Sequence, residues 1–566
     1  MSEQEKKQNT VAEVLVKCLE NEGVKYVFGI PGEENLDMMN ALEKSNIRVI
    51  VVRHEQGATH AAQGYARVSG KVGVALVTSG PGATNTITGI ADAMMDSTPI
   101  VVIAGQVGAS LLGSDAFQEC DLVGVTQPIS KWAYQIRRPE DVAWAVSRAF
   151  YIAKSGRPGP VVLDFAKNAQ VGLVDYEPQG TDFIRSYVPV PKTDPWAIRQ
   201  AAALINNAKR PFILVGQGVE LGGAQEEVRQ LIERADIPAG CTLLGLSALP
   251  SDHPLNMGML GMHGSLANSI KTQECDVLIA VGMRFDDRIT GKLSTYARQA
   301  KKIHFEIDPS EVNKNVPVDV AVLGNCKQTL AQVLEQVKPN RHTEWIDSFG
   351  EHHEREKEAV IEPEIHPADG PIKMGEVVRK VTEMTGNKAV LVTDVGQNQM
   401  MAARYFKFSE QRSIVTSGGM GTMGFGLPAA IGATFGAPGR MVCLFLGDGG
   451  IQMTLQELGT IMEQRSPVKI ILLNNNYLGN VRQWQEMFFG KRYSFTPMMN
   501  PDYNMIASAY GIPNRTVVER EDLAAAIQEM VDTDEPYLLQ VAVIEEGRVL
   551  PMCCPGNDVD DMVLDY

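Results

Sequence analysis

The sequence predicts an α/β protein with three doubly wound parallel-sheet domains. Short apolar runs alternate with glycine-rich turns and with segments of helical spacing, and this order repeats along most of the chain. Two irregular stretches interrupt it, a proline-rich one at 168–196 and a charged one at 336–372. A chain of 566 residues is also long enough for three domains. We therefore predict domains at residues 1–180, 190–340 and 370–550, followed by a tail at residues 551–566.

The first domain begins with a segment of helical spacing at residues 11–20. Predicted strands follow at 26–28, 48–53, 72–77 and 100–104. Glu55 comes shortly after the second of these strands. A lone glutamate at a strand end is more often a solvated or helix-capping group than a functional one, so its position alone assigns it no role.

The second domain has the layout of a nucleotide-binding sheet. Apolar strands at 211–215, 275–281 and 302–307 are each followed by a glycine or an acid, although no strict GxGxxG pattern is present. The charged stretch after this domain contains the adjacent pair His352 and His353. Adjacent histidines point to different sides of a helix, so an exposed charged helix is predicted there rather than a metal site.

The third domain contains the most informative stretch of the chain. An apolar run at 441–446 leads into a glycine turn with Asp448, a segment of helical spacing at 451–464, and a second run at 468–473 that ends in three asparagines. The carboxyl ends of parallel strands meet at one edge of a sheet, so Asp448 and Asn475 are expected to converge. Their oxygens suit Mg²⁺, and the glycines let backbone N–H groups approach an anion. The pattern predicts a metal-clamped diphosphate, although a GDG triplet alone is often only a turn.

The net charge and the spacing of the cysteines indicate which partners and which cellular compartment to expect. A net charge of −16 and a pI near 5.2 argue against nucleic acid or an anionic membrane surface as a partner. The eight cysteines show no CxxC spacing, and the polar first ten residues leave no room for a signal peptide, so a reducing cytosol is expected. The uncharged stretch 413–439 is rich in glycine and broken by prolines, which favours a buried loop and helix over a membrane span.

Glu55, the GDG turn and the asparagine pair, at this spacing, resemble the signature of thiamine-diphosphate enzymes. Longer segments resemble, more narrowly, the catalytic large subunits of acetolactate synthases (acetohydroxyacid synthases). These segments are RHEQGA (53–58), GSDAFQE (113–119), GRPGP (156–160), GMLGMHG (258–264), RFDDRITG (284–291), SGGMGTMGFGLP (417–428) and LGNVRQW (478–484). The resemblance covers essentially the whole chain.

The resemblance implies a pyrimidine-binding first domain, an FAD-binding central domain and a third domain that binds diphosphate and Mg²⁺, with the thiamine diphosphate shared between two subunits. It implies that Glu55 partners the aminopyrimidine, where a carboxylate shielded from water can share a proton. It assigns Asp448, Asn475 and the Tyr477 carbonyl to the metal, and Met423 to the wedge that folds the coenzyme. The remaining positions that it assigns to cofactor binding are Gln397, Asn398, Gly421, Gly449, Gly450, Arg157, Gly216, Thr242, Leu243, Gly261, Met262, His263, Gly282, Arg284, Asp286, Asp308 and Asn325.

The implied reaction is decarboxylation of pyruvate and condensation of the remaining two-carbon unit with a second pyruvate or with 2-ketobutyrate, the first common step of branched-chain amino-acid biosynthesis. Phe117 and Gln118 match positions of the first-substrate region, and Arg288 and Trp484 match those that hold the second substrate. The resemblance also assigns Lys167 to the catalytic positions. Discrimination between acceptors that differ by one methylene would be partial, because a methylene is worth only about 1–3 kcal/mol.

The resemblance further implies a homodimer or homotetramer, a separate small regulatory subunit and a C-terminal tail that covers the site. The chain departs from the usual pattern at Glu33, Glu34, 108–110, Asn480 and Asn325, which bears on substrate preference and flavin affinity. Two alternatives stay open. One is a related thiamine-diphosphate carboligase or decarboxylase that acts on another 2-keto acid, and the other is a catalytically silent subunit that regulates a partner.

Overall fold

The computed structural model describes residues 9–565, which form three six-stranded parallel sheets flanked by helices. The predicted fold class is confirmed. Residues 1–8, where the sequence predicts no signal peptide, and Tyr566 lie outside the described residues.

The first sheet lies between residues 26 and 166. Its strands are β1 (Tyr26–Gly29), β2 (Arg48–Val51), β3 (Gly73–Val77), β4 (Ile100–Gln106), β5 (Trp132–Ile136) and β6 (Val161–Ala166), in the order β2-β1-β3-β4-β6-β5. Its longer helices are α1 (Val11–Asn21), α2 (Leu36–Glu43), α3 (Glu55–Ser69), α4 (Ile87–Met95) and α5 (Val142–Lys154). Every residue of β3, β4 and β6 is buried, as expected for parallel strands with helices on both faces.

The central sheet lies between residues 211 and 323. Its strands are β7 (Pro211–Val215), β8 (Ala239–Cys241), β9 (Asn256–Met259), β10 (Val277–Val281), β11 (Lys301–Glu306) and β12 (Val320–Leu323), and its longer helices are α6 (Pro195–Asn207), α7 (Gln225–Ala235), α8 (Leu266–Glu274) and α9 (Cys326–Leu334). The strand order is β9-β8-β7-β10-β11-β12, so the order reverses between β7 and β10. Such a reversal opens a crevice at the carboxyl ends of the strands, where nucleotides bind in doubly wound folds.

The segment between the second and third sheets is helical. It contains Thr343–Asp347, α10 (Gly350–Glu356) and Glu362–Ile365. The prediction of an exposed charged helix is wrong at Glu356, which is 1% exposed and pairs with Arg404 of the third domain. A charged residue is buried here because an opposite charge from a distant part of the chain meets it.

The third sheet repeats the order of the first. Its strands are β13 (Val390–Thr393), β14 (Ile414–Val415), β15 (Val442–Gly447), β16 (Val468–Asn474), β17 (Asn514–Val517) and β18 (Tyr537–Ala542), in the order β14-β13-β15-β16-β18-β17. Its longer helices are α11 (Met374–Met384), α12 (Gln397–Tyr405), α13 (Gly426–Gly436), α14 (Leu458–Gln464), α15 (Gly479–Phe488), α16 (Tyr503–Ala509) and α17 (Arg520–Asp532). The first and third domains therefore share one topology, and the central domain has another.

The helix predicted at 451–464 is interrupted. The chain forms a short helix at Asp448–Met453, a 3₁₀ turn at Leu455–Glu457 and then α14. Thr454 leaves the helical conformation, and its hydroxyl donates to the carbonyl of Gly424 at 3.0 Å. A hydrogen bond to a distant loop thus competes with the helical pattern that the local sequence favours.

The helix of the uncharged stretch 413–439 is buried as predicted, but the loop before it is exposed at residues 419–421. Both residues of β14 are buried, and α13 is buried over most of its length. Among residues 9–565 no helix combines the length and the hydropathy needed to cross a bilayer. Helix α13 packs against α3 of the first domain at two glycines, Gly64 and Gly432. A Cβ added at Gly432 would lie 1.8 Å from the carbonyl oxygen of Ala61.

We predict that Gly432→Ala destabilises the protein, because the contact is with backbone and cannot move aside as a side chain would. Overpacking of this kind costs about 1–3 kcal/mol or more. The measurement is the melting temperature of the purified variant.

The matched control is Gly350→Ala, at a helical glycine with no heavy atom within 4 Å of an added Cβ. Its melting temperature should stay close to that of the wild type. Equal melting temperatures for wild type and Gly432→Ala would contradict the close packing of α3 on α13.

Candidate active site

Asp448 lies where β15 ends, and it is 1% exposed. Its Oδ2 accepts a hydrogen bond from Nδ2 of Asn500 at 2.7 Å, and the same amide donates to Oδ1 of Asn474 at 3.1 Å. Burial raises the pKa of the Asp448 carboxyl above its ordinary value. A buried carboxylate with a neutral partner is not compensated in charge, so the position suits a cation.

Asn475 follows β16, which pairs in register with β15. Its side chain is 2% exposed; Oδ1 accepts from the backbone N–H of Tyr477 at 3.3 Å, and Nδ2 donates to Oε1 of Gln397 at 3.3 Å. The two strand ends therefore meet at the same edge of the third sheet. A carboxylate, an amide oxygen and a backbone carbonyl are ligand types that Mg²⁺ takes in proteins.

Several glycines leave open space beside this edge. A Cβ at Gly421 would meet only Val395 at 3.9 Å, and one at Gly447 would meet only Asn398 at 3.4 Å. Oδ1 of Asn398 is buried and has no hydrogen-bond partner within residues 9–565. The uncovered backbone N–H groups would suit a diphosphate, and Asp448 would suit the Mg²⁺ that accompanies it. The unpaired Asn398 oxygen is an acceptor and needs a donor or a cation rather than the diphosphate itself.

Met423 faces this cradle from the loop that precedes α13. Its Cε would lie 3.6 Å from a Cβ built on Gly449, and Gly450 packs against the carboxylate of Asp394. The methionine is half-buried and lies beside the GDG turn. Its assignment as the wedge that folds the coenzyme stays a prediction.

Glu55 begins α3 in the first domain and is half-buried. Its Oε2 accepts from Nδ2 of Asn85 at 2.9 Å. The turn before it is held from the third domain, because the fully buried Glu457 accepts from the backbone N–H groups of Arg53 at 3.1 Å and His54 at 3.0 Å. Glu457 thus connects the turn before Glu55 to the third domain of the same chain.

The predicted first-substrate residues lie on the same domain as Glu55. Phe117 is 80% exposed, and Gln118 packs against Gly80 with a left-handed backbone of φ 58°. Lys167 is engaged elsewhere, since its Nζ lies 2.9 Å from Oδ2 of Asp37 and donates to the carbonyl of Glu33 at 2.9 Å. The backbone N–H of Glu34 donates to Oγ1 of Thr78 at 3.3 Å, two residues before Gly80, so the unusual Glu33 and Glu34 lie near the loop that packs against Gln118.

Positions that the resemblance assigns to cofactor binding in the central domain follow all six strands of its sheet. Gly216 follows β7, Thr242 and Leu243 follow β8, Gly261, Met262 and His263 follow β9, Gly282, Arg284 and Asp286 follow β10, Asp308 follows β11, and Asn325 follows β12. These residues lie at one edge of the central sheet, where the strand order reverses. This arrangement fits an extended dinucleotide such as FAD. Asn325 in place of an acid still caps α9, because its Oδ1 accepts from the N–H of Lys327 at 3.0 Å.

Arg288 and Trp484 occupy different elements. The backbone N–H of Met262 donates to the carbonyl of Arg288 at 2.7 Å, so the predicted flavin loop and the second-substrate arginine are neighbours. The Arg288 side chain is 60% exposed, with its guanidinium 3.7 Å from Asp287. Trp484 is half-buried on α15 and packs against Phe488. Arg157 reaches the central domain from the first and pairs with Glu311 at 2.9 Å.

The segment after Glu546, which includes the predicted tail at residues 551–566, contacts several of these candidate site residues. Gln397 donates to the carbonyl of Gly547 at 2.6 Å, Gln483 of α15 accepts from the N–H of Val549 at 2.9 Å, and the N–H of Cys553 donates to the carbonyl of Met262 at 2.8 Å. The tail therefore joins the diphosphate end to the flavin loop. A cavity of about 90 Å³ between the tail and the flavin loop is lined by Met262, Arg288, Ile289, Cys553 and Cys554, among others.

Sequence reasoning missed four residues of this site: Asn85, Glu457, Gln483 and Asn500. Gln483 lies within a segment that carries the resemblance, and Asn500 precedes a proline, which indicates a turn but not a role. The other two contact residues that are distant in the sequence.

Three protein-family profiles match most of the chain, and curated relatives match nearly all of it. The N-terminal TPP binding domain of thiamine pyrophosphate enzymes matches residues 9–125, their central domain matches 198–333, and their C-terminal TPP binding domain matches 394–541. The chain is 42% identical to a probable acetolactate synthase large subunit of Methanocaldococcus jannaschii, over 98% of this chain and 95% of that protein. It is 42% identical to the acetolactate synthase isozyme 2 large subunit of Escherichia coli, over 98% and 99%. It is 40% identical to the acetolactate synthase large subunit of Lactococcus lactis, over 98% and 96%.

We predict that truncation after Glu546 impairs activity. The tail supplies partners for Gln397 and Gln483, and its removal also takes the buried Val549 and Met552 out of the core. The measurement is turnover of pyruvate at saturating cofactors, together with the melting temperature. Unaltered turnover in a truncated protein would show that the tail does not complete the site.

Proposed function

Since this chain belongs to the family of thiamine-diphosphate enzymes formed by the acetolactate synthase large subunits, we propose that it condenses two 2-keto acids with loss of CO₂. Its substrates are pyruvate as donor and pyruvate or 2-ketobutyrate as acceptor, and its cofactors are thiamine diphosphate, Mg²⁺ and FAD. The observation that carries the proposal is the meeting of Asp448 and Asn475 beside open glycine backbone, with Glu55 presented by a separate domain.

The coenzyme supplies the electron sink for decarboxylation when it is bound. Asp448, Asn475 and the Tyr477 carbonyl would hold Mg²⁺, which would neutralise charge on the diphosphate. Glu55, half-buried and hydrogen-bonded to Asn85, would exchange a proton with the aminopyrimidine end of the coenzyme. The Arg288 guanidinium binds the carboxylate of the acceptor keto acid through a fork geometry, and Trp484 limits the space for its alkyl group.

The site is completed by a second copy of the chain. Large apolar side chains next to site residues are exposed in one chain. These are Met420 at 46%, Met453 at 53% and Phe117 at 80%. Apolar groups that adjoin a site and face solvent are typical of a subunit interface, and a two-fold interface would bring each first domain to a third domain of its partner. The proposed assembly is at least a homodimer.

Two further proposals come from the relatives and the cysteines. Because the relatives are large subunits, a separate small regulatory subunit is the expected partner of this chain. All eight cysteines are free thiols in the structure, which supports a reducing cytosol as the compartment.

The second candidate function is that of a related carboligase or decarboxylase acting on another 2-keto acid. Glu34 favours it, because this acid stands at the first-substrate end and its Oε2 is buried without a hydrogen-bond partner within the described residues. Burial raises the pKa of the Glu34 carboxyl. A carboxyl group at this position would change which donor the site accepts.

We predict that the purified protein forms acetolactate from pyruvate, thiamine diphosphate and Mg²⁺, and a second product when 2-ketobutyrate is added. Glu55→Gln should lower kcat about 10²–10⁴-fold, because the proton-holding carboxylate is lost. The measurement is a product assay with and without FAD, with the exposed Glu43→Gln as the matched control.

Release of CO₂ from another keto acid, without acetolactate from pyruvate, would favour the second candidate. The same measurable turnover in wild type and Glu55→Gln would contradict the role of Glu55. Absence of turnover in both proteins would contradict both enzymatic functions and favour a catalytically silent subunit. A protein that neither retains nor requires FAD would remove the flavin from the proposal.

A further inference from the structure

Two buried aspartates near the end of α4 hold a loop of the third domain. Asp92 is 0% exposed, and its Oδ1 accepts from the hydroxyls of Ser417 and Thr422, the latter at 2.9 Å. Asp96 is 1% exposed and accepts from the backbone N–H groups of Gly418 at 2.8 Å and Gly419 at 2.7 Å. Hydrogen bonds from this loop, which is more than three hundred residues away in the sequence, therefore hold it against the first domain.

A third buried acid holds the same loop from within its own domain. Asp394 is 1% exposed and follows β13. Its carboxylate accepts from the N–H of Gly424 at 3.0 Å and from that of Gly426 at 2.9 Å. Met423 therefore has a neighbour on each side whose position is set by a buried carboxylate, Thr422 by Asp92 and Gly424 by Asp394.

Burying these carboxylates costs more free energy than an interface that only packs two domains together would require. A carboxylate taken out of water needs strong partners, and Asp92 has two hydroxyls while its Oδ2 has no hydrogen-bond partner among residues 9–565. Arg67 brings a cation to the network, but its ion pair is with Asp96, at 2.7 Å. Burial raises the pKa of Asp92 to about 6. Apolar side chains would join the domains at lower cost, whereas directional hydrogen bonds to a carboxylate specify the position of the loop.

The loop has little freedom to relax. A Cβ added at Gly419 would lie 2.9 Å from Nη2 of Arg284 and 3.0 Å from Oδ1 of Asp96. Nε2 of Gln399 donates to the carbonyl of Ser417 at 2.9 Å. All three domains therefore contact the segment that leads to Met423, and that side chain lies beside the GDG turn.

We propose that Asp92 and Asp394 are positioning residues that fix the backbone on the two sides of Met423, so that the first domain sets how this side chain meets the coenzyme. The proposal rests on the proposed function, because it concerns the thiamine diphosphate that the site would hold. It adds to that function a mechanical link within one chain, between the first domain, whose Glu55 would serve the partner's coenzyme, and the wedge of the third domain.

The test is the rate at which the C2 proton of bound thiamine diphosphate exchanges for deuterium, followed by NMR after acid quenching, at saturating coenzyme and Mg²⁺. Asp92→Ala should slow this exchange by on the order of 10²-fold, because a small misplacement of a positioning group has effects of that size. Asp92→Asn should restore most of the rate, since an amide oxygen can still accept from Ser417 and Thr422. Thr422→Val, which removes one of the two contacts, should slow exchange in the same direction.

The matched control is Asp164→Ala. Asp164 is also 0% exposed in the first domain, and its Oδ2 accepts from side-chain amides of Gln106 at 3.2 Å and Gln135 at 2.6 Å, but these contacts lie within its own domain. It should lower the melting temperature as Asp92→Ala does and leave the exchange rate unchanged. Similar slowing by both variants, or no slowing by Asp92→Ala and Thr422→Val, would overturn the proposal. Wild-type protein that does not accelerate exchange would contradict the proposed function itself and this inference with it.

Discussion

The site depends on the pairing of β15 with β16, because the carboxyl ends of neighbouring parallel strands lie at one edge of a sheet. Asp448 and Asn475 are separated by a helical crossover, yet they meet because their strands are in register. The carboxylate of Asp448 is then buried with only neutral hydrogen-bond donors, which leaves its charge for a cation. The glycines between strand and helix keep side chains away from the backbone N–H groups at the same edge.

In each of the three domains, candidate ligand-binding residues follow the carboxyl ends of parallel strands. The first and third sheets share one strand order, whereas the central sheet has the reversed order of dinucleotide-binding folds. Buried carboxylates join the domains: Glu457 holds the turn before Glu55, Asp96 holds the loop before Met423, and Glu356 pairs with Arg404. Each acid accepts hydrogen bonds from backbone or side-chain donors of another segment. Because hydrogen bonds are directional, they fix the relative positions of the domains more closely than apolar contact alone.

Much of the fold could be predicted from local pattern. The apolar runs at 211–215 and 468–473 are strands, and the polar residues after them lie at strand ends as expected. The features that could not be predicted depend on partners distant in the sequence. Thr454 interrupts a helix because its hydroxyl bonds to Gly424, and Glu356 is buried because Arg404 reaches it. The same limit applies to the site, where Asn500 contacts Asp448 from a loop that has no periodic signal.

The central claim is that Glu55 of one chain and Asp448 of another serve the same coenzyme. Its most direct test mixes two inactive proteins, Glu55→Gln and Asp448→Ala, under conditions in which subunits exchange, and measures acetolactate formation. A two-fold dimer with shared sites has one intact site in each hybrid, so random mixing should restore about a quarter of the wild-type activity. Absence of any recovery in a mixture shown to contain hybrids would contradict the claim and place both residues in a site within one chain.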